Sequence, residues 1–130
     1  MERTATVIGG APCRPNISPA GVRRRRVFGA WNVAAGILLV AGLIGARTPW
    51  YWCLVVFLPA ALAAVGFLQA GRKTCVSRAG EGTFEHEDFS KTPADPSDVL
   101  RSRAVAAGIR RDAVLVGLAA AALTILATRL

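Results

Sequence analysis

The chain has 130 residues, 53% of them hydrophobic, with a mean hydropathy of +0.42 and a formal net charge of +8. Soluble domains carry about 45–50% apolar residues even with glycine counted, and the excess here lies in long contiguous runs. That pattern excludes an ordinary soluble domain with one core, and a single histidine leaves little capacity for acid–base chemistry.

Residues 1–26 read as a basic tail that ends in Arg23, Arg24, Arg25 and Arg26. Beside a membrane span such a run anchors and orients the helix, since each basic residue near anionic lipid is worth about 1 kcal/mol. Nucleic-acid sites spread charge along a face and interleave aromatics, which this run does not, so no nucleic-acid partner is expected. Arg25-Arg26-Val27-Phe28 also matches the core of a twin-arginine export signal, with Ile44-Gly45-Ala46 as a poor cleavage site. The apolar run that follows is too long for a signal peptide, and an uncleaved anchor is the better reading.

Residues 27–46, VFGAWNVAAGILLVAGLIGA, contain Asn32 as the only polar side chain, and residues 50–70, WYWCLVVFLPAALAAVGFLQA, are polar only at Gln69 apart from the aromatic start. A hydrocarbon core about 30 Å thick needs roughly 20 apolar residues, so both predict membrane spans. The linker Arg47-Thr48-Pro49 is short enough to force the two into a tight antiparallel hairpin. Trp50, Tyr51 and Trp52 are expected as anchors at the membrane interface, where amphipathic rings prefer to sit. Pro59 should bend the second span. Small residues suited to close helix approach are Ala41 and Gly45, Ala60 and Ala64, and Ala113, Gly117 and Ala121. No ionisable residue falls centrally in any span, which argues against a pump, transporter or channel. Asn32 and Thr124 are expected to bond a neighbouring helix or their own backbone.

Residues 71–95 predict a polar loop that includes the stretch RKTCVSRAGEGTFEHED. Cys13, Cys75 and His86 are candidate zinc or iron ligands, with Glu85, Glu87 or Asp88 as a fourth. The paired spacings of strong metal motifs are missing. The preferred reading is a connector in which Gly80 and Gly82 serve turns and Cys75 is an interfacial apolar residue. No cofactor is implied. Asp95-Pro96-Ser97-Asp98 then signals a helix start, with a cap, a proline at the first position and an early acid. One long helix is predicted from residue 96 to the end. Its third span, residues 113–128, gives only about 24 Å, which Arg110, Arg111 and Arg129 can extend by snorkelling.

Fourteen of the sixteen basic residues lie in the tail or between the second and third spans; Arg47 and Arg129 are the exceptions. By the positive-inside rule the N-terminus and the loop are cytoplasmic and the C-terminus external. The expected class is all-α: an integral membrane protein with three transmembrane helices, in a bacterial inner membrane.

The phrases CRPNISPAGVRRRR (13–26) and GFLQAGRKTCV (66–76), flanking an apolar pair, resemble those of small uncharacterised multi-span bacterial membrane proteins. The resemblance implies membrane residence and no activity. With no nucleophile–base pair and no phosphate loop, an enzyme is not expected. The reading that follows is a non-enzymatic interaction or assembly subunit, partnered by the bilayer and by other membrane helices or itself. The alternative is a cytoplasmic-face metal or thiol sensor built on Cys13, Cys75 and His86.

Overall fold

The computed structural model describes residues 6–8, 11–13 and 16–130, with side chains from residue 16 onward. Helix accounts for 77% of it, and three helices are long and apolar enough to cross a membrane. Among the described residues the departures from an all-α chain are two small antiparallel β-hairpins. The first pairs β1 (Thr6–Ile8) with β2 (Ala11–Cys13), and the second pairs β3 (Thr83–Glu85) with β4 (Lys91–Pro93).

Helix α1 runs Pro19–Gly45, starting eight residues before the expected span. Ser18 explains the start: its side chain accepts from the Gly21 N–H, and Pro19 follows at the first helical position. The linker leads into a 3-10 segment, Trp50–Val56, and then α2, Phe57–Gly71. Pro59 therefore lies in the first turn of α2. No intrahelical donor is lost there, so the proline marks the change from 3-10 to α geometry and does not kink a continuous helix.

The connector expected as a plain loop is folded. Short helix α3 (Val76–Glu81) ends at Gly82, whose φ of +71° takes the left-handed cap that glycine adopts without strain. The β3–β4 hairpin follows, and α4 then runs unbroken from Pro96 to Arg129. Asp95 occupies the cap position of α4, though its side chain makes no capping hydrogen bond.

Helix α2 lies between α1 and α4, which touch each other little. Along the α1–α2 seam Arg25 meets Gln69, Gly29 meets Ala63 and Phe67, and Gly36 meets Pro59. The partners thus run in opposite order along the chain. At the crossing the helices touch backbone to backbone: a β-carbon on Gly66 would lie 2.8–2.9 Å from Arg25 O and from Gly29 Cα and N. The α2–α4 seam is packed with side chains, Phe57 filling the space over Gly117, and a small buried cluster of Val105 and Ile109 takes in Leu68 and Val76. Outside these seams the apolar helices stay uncovered. Only 11%, 33% and 22% of their most apolar windows are buried, and Trp31, Ile37, Leu38 and Leu123 stand exposed.

A buried polar cap and an apolar groove

At the end of the bundle where α1 begins and α2 finishes, polar groups are buried together. Glu85 is only 2% exposed. Its Oε1 accepts from Arg25 Nη1 at 3.1 Å, and its Oε2 accepts from Arg25 Nη2 at 3.4 Å and from Arg78 Nε at 3.3 Å. Arg25 spends its other donors on Gln69 Oε1 (2.9 Å) and the Gly21 carbonyl (3.0 Å). One carboxylate thus holds a helix start, a short helix and a strand.

The sequence folds locally to deliver these groups. The register of β3 turns Glu85 inward, beside a half-buried Phe84. Arg25 lies two turns into α1, on the side facing α2. Glycine at position 21 leaves room for the carboxylate, since a β-carbon there would sit 2.5 Å from Glu85 Oε1. The first turn of α1 carries no acid of its own, so Glu85 supplies negative charge near the positive end of that helix dipole. Burial alone would raise the Glu85 carboxyl. The hydrogen bonds and charges of Arg25, then Arg78, outweigh it and hold the group below its ordinary value of 4.5.

Asn16 is the second hub. Its Nδ2 donates to Cys75 O (3.2 Å) and its Oδ1 accepts from Cys75 N (2.7 Å). Its backbone N–H donates to Lys73 O (3.2 Å), and its carbonyl accepts from Glu85 N (2.8 Å). The chain before α1 is therefore stitched to the end of α2 and to β3. Among the described residues no buried side-chain nitrogen or oxygen lacks a partner.

The residues singled out in the sequence fall in different places. Arg25 is drawn into the cap, whereas Arg23, Arg24 and Arg26 are exposed, with Arg24 5.3 Å over the Phe89 ring. Cys75 is buried beside Arg25 and precedes α3. His86 lies on the hairpin turn, where its Nε2 pairs with Thr92 Oγ1 at 2.9 Å. Cys13 ends β2, and its side chain lies outside the described residues. Among the described residues no three His, Cys, Asp or Glu side chains gather as a metal set would. Trp50, Tyr51 and Trp52 are each half exposed at the far end. There Cys53, fully buried, faces Thr128 Oγ1 at 3.9 Å. Asn32 donates to Phe28 O and Thr124 to Ala120 O, so both are satisfied within their own helices.

Sequence reasoning passed over Asn16, Gln69 and Arg78, and met Glu85 only as a spare metal ligand. The available signal was Ser18-Pro19, a helix start of the same kind as Asp95-Pro96. It extends α1 back past Arg25 and makes that arginine part of a helix face.

Between α1 and α4, over α2, lies an apolar groove of about 760 Å³. Val33 and Ile37 form one wall, Val116 and Ala120 the other, with Ala60 and Phe67 on the floor. Asn32 and Asp112 mark its end nearest the cap.

No family model, curated protein or solved structure matches this chain.

Proposed function

We propose that this is a three-span membrane protein that acts by contact with other membrane helices and not by catalysis. Its first two spans form an antiparallel hairpin, the N-terminus and connector are cytoplasmic, and the C-terminus is external. The observation that carries the reading is the uncovered apolar surface of three helices, which water would penalise at about 25 cal/mol per Å² and a bilayer would not. Parity of the contacts supports the arrangement. Arg25 meets Glu85 at one end and Cys53 faces Thr128 at the other, as three successive crossings require. The distribution of basic residues supports a cytoplasmic position for the capped end.

The interaction role draws support from how the cap spends its chemistry. Glu85, Arg25 and Arg78 are committed to each other, so the cap works as a clasp that presents a fixed set of helices. Two experiments test the proposal. In a cysteine-free background, Ser90→Cys should resist an impermeant reagent applied from outside and Thr48→Cys should react; the opposite pattern overturns the topology. Gentle extraction from native membranes should yield a stoichiometric complex, with a partner or with itself, and no metal. A monomer carrying one metal per chain overturns the interaction role in favour of the Cys13, Cys75 and His86 sensor.

A further inference from the structure

We propose that the groove between α1 and α4 binds one anionic phospholipid of the cytoplasmic leaflet, with an acyl chain in the groove and its phosphate at the capped mouth. This rests on the membrane reading above, and leaves the outer faces of α1 and α4 for protein partners.

Length decides between a lipid chain and a helix as occupant. The lining on α4 runs from Asp112 to Ala120, about 12 Å of helix. A membrane helix partner would need a seam across the full hydrocarbon core of about 30 Å. The groove instead matches the depth of one leaflet, and the 3-10 segment, packed on both α1 and α4, closes it at Val56. The lining is almost wholly carbon, and the amide of Asn32 is already spent on Phe28 O.

Charge decides which lipid. Asp112, the acid at the mouth, is held by two arginines: Arg72 Nη2 at 2.6 Å and Arg111 Nη2 at 2.9 Å. Two cations on one carboxylate leave the mouth net positive. The Arg111 side chain remains 73% exposed although its Nε and Nη2 both lie on Asp112. Arg26, exposed, lies two turns before Val33 on the same stripe of α1. A phosphate between Arg111 and Arg26 would take charge-assisted hydrogen bonds while its chain lay along Val33, Ile37 and Val116. A zwitterionic lipid brings its own cation and gains less.

The test uses the full chain in detergent, titrated with phosphatidylglycerol or with phosphatidylcholine of identical acyl chains and read by native mass spectrometry. One phosphatidylglycerol should be retained, at least fivefold more tightly than phosphatidylcholine. Arg111→Gln and Arg26→Gln should each weaken phosphatidylglycerol about fivefold and leave phosphatidylcholine unchanged. Ala60→Leu, which fills the floor, should weaken both lipids at least tenfold; if that variant does not fold, Ile37→Trp on the exposed wall replaces it. Equal affinity for the two lipids, or unchanged binding in the arginine or groove-filling variants, overturns the proposal. So does efficient Ile37→Cys cross-linking between two copies in a cysteine-free background, which would put a second chain in the groove. Release of the unmodified chain from membranes by alkaline wash, without detergent, would instead sink the membrane reading, so the two failures are separable.

Discussion

The two halves of this molecule solve burial in opposite ways. In the cap, polar and charged groups are inside: Glu85, Asn16, Ser18 and Thr74 are all nearly inaccessible, and each is paired. In the apolar helices the large side chains are outside, and mainly small residues such as Gly66, Ala70, Ala113 and Gly117 are covered. The contrast teaches where specificity resides. Helix faces rich in alanine and glycine can pack in several registers with similar energy, whereas a triad of Arg25, Glu85 and Arg78 is satisfied in one.

If the cap sets the register, the largest loss should come from its centre. Glu85→Ala leaves Arg25 without its carboxylate and Arg78 with Glu81 alone, and should cost about 3 kcal/mol, read as unfolding free energy in detergent micelles. Replacing Glu85 with Leu, and Arg25 and Arg78 with Met, should recover most of that loss, because a well-packed apolar cluster often matches a buried ion pair. The pH dependence follows from the same group. Its folded-state value is lowered below 4.5, so the triad contributes fully above pH 4.5, and the contribution is lost as pH falls through the folded value. Glu85→Gln should flatten that acid-side slope; an unchanged slope would mean that another carboxyl sets it.

The helical side of the comparison breaks at Gly66. A side chain there meets the backbone of α1, which cannot give way as a side-chain tip can, so Gly66→Val should cost about 1–3 kcal/mol. Asn16→Ala comes next, at about 1–3 kcal/mol for orphaning the Cys75 N–H, read by the same unfolding measurement. Gly42→Ala should be the smallest and of opposite sign. Among the described residues nothing lies within 4 Å of its missing β-carbon, so it should stabilise by up to about 1 kcal/mol. A cost there comparable to that of Gly66→Val would mean that lipid or a partner presses on that face.

Much of this was legible in the sequence, and the pattern of misses is physical. Long uncharged runs announce themselves without tertiary information, so the three apolar helices and the start of α4 at Pro96 could be read directly. Among the small-residue stripes, Ala113, Gly117 and Ala121 are buried as expected, but Ala41 and Gly45 are exposed, and Gly29 does their work in α1. Which face of a glycine-rich helix turns inward is set by what anchors its end. In α1 that anchor is Arg25 on Gln69 and Glu85, a contact between residues 60 apart that no local pattern encodes. The folded connector escaped notice for the same reason: α3 and β3 are short, and the Arg103 donations to Ala79 O and Gly80 O that finish α3 come from another helix.

That separation of 60 residues also has a meaning in time. A ribosome makes Arg25 well before Glu85, with the first two apolar segments and their link in between. During that interval the arginine cannot meet Glu85. If the chain spans a bilayer as proposed, the clasp can close only once α1 and α2 have crossed an even number of times and the connector has emerged on the tail's side. On the membrane reading proposed above, a nascent chain in which only one of the two segments crossed would leave Arg25 and Glu85 on opposite faces of the bilayer, with Arg78 as the carboxylate's remaining cation. Closure of the cap would then be a record, kept in the finished protein, that the first two segments had crossed together.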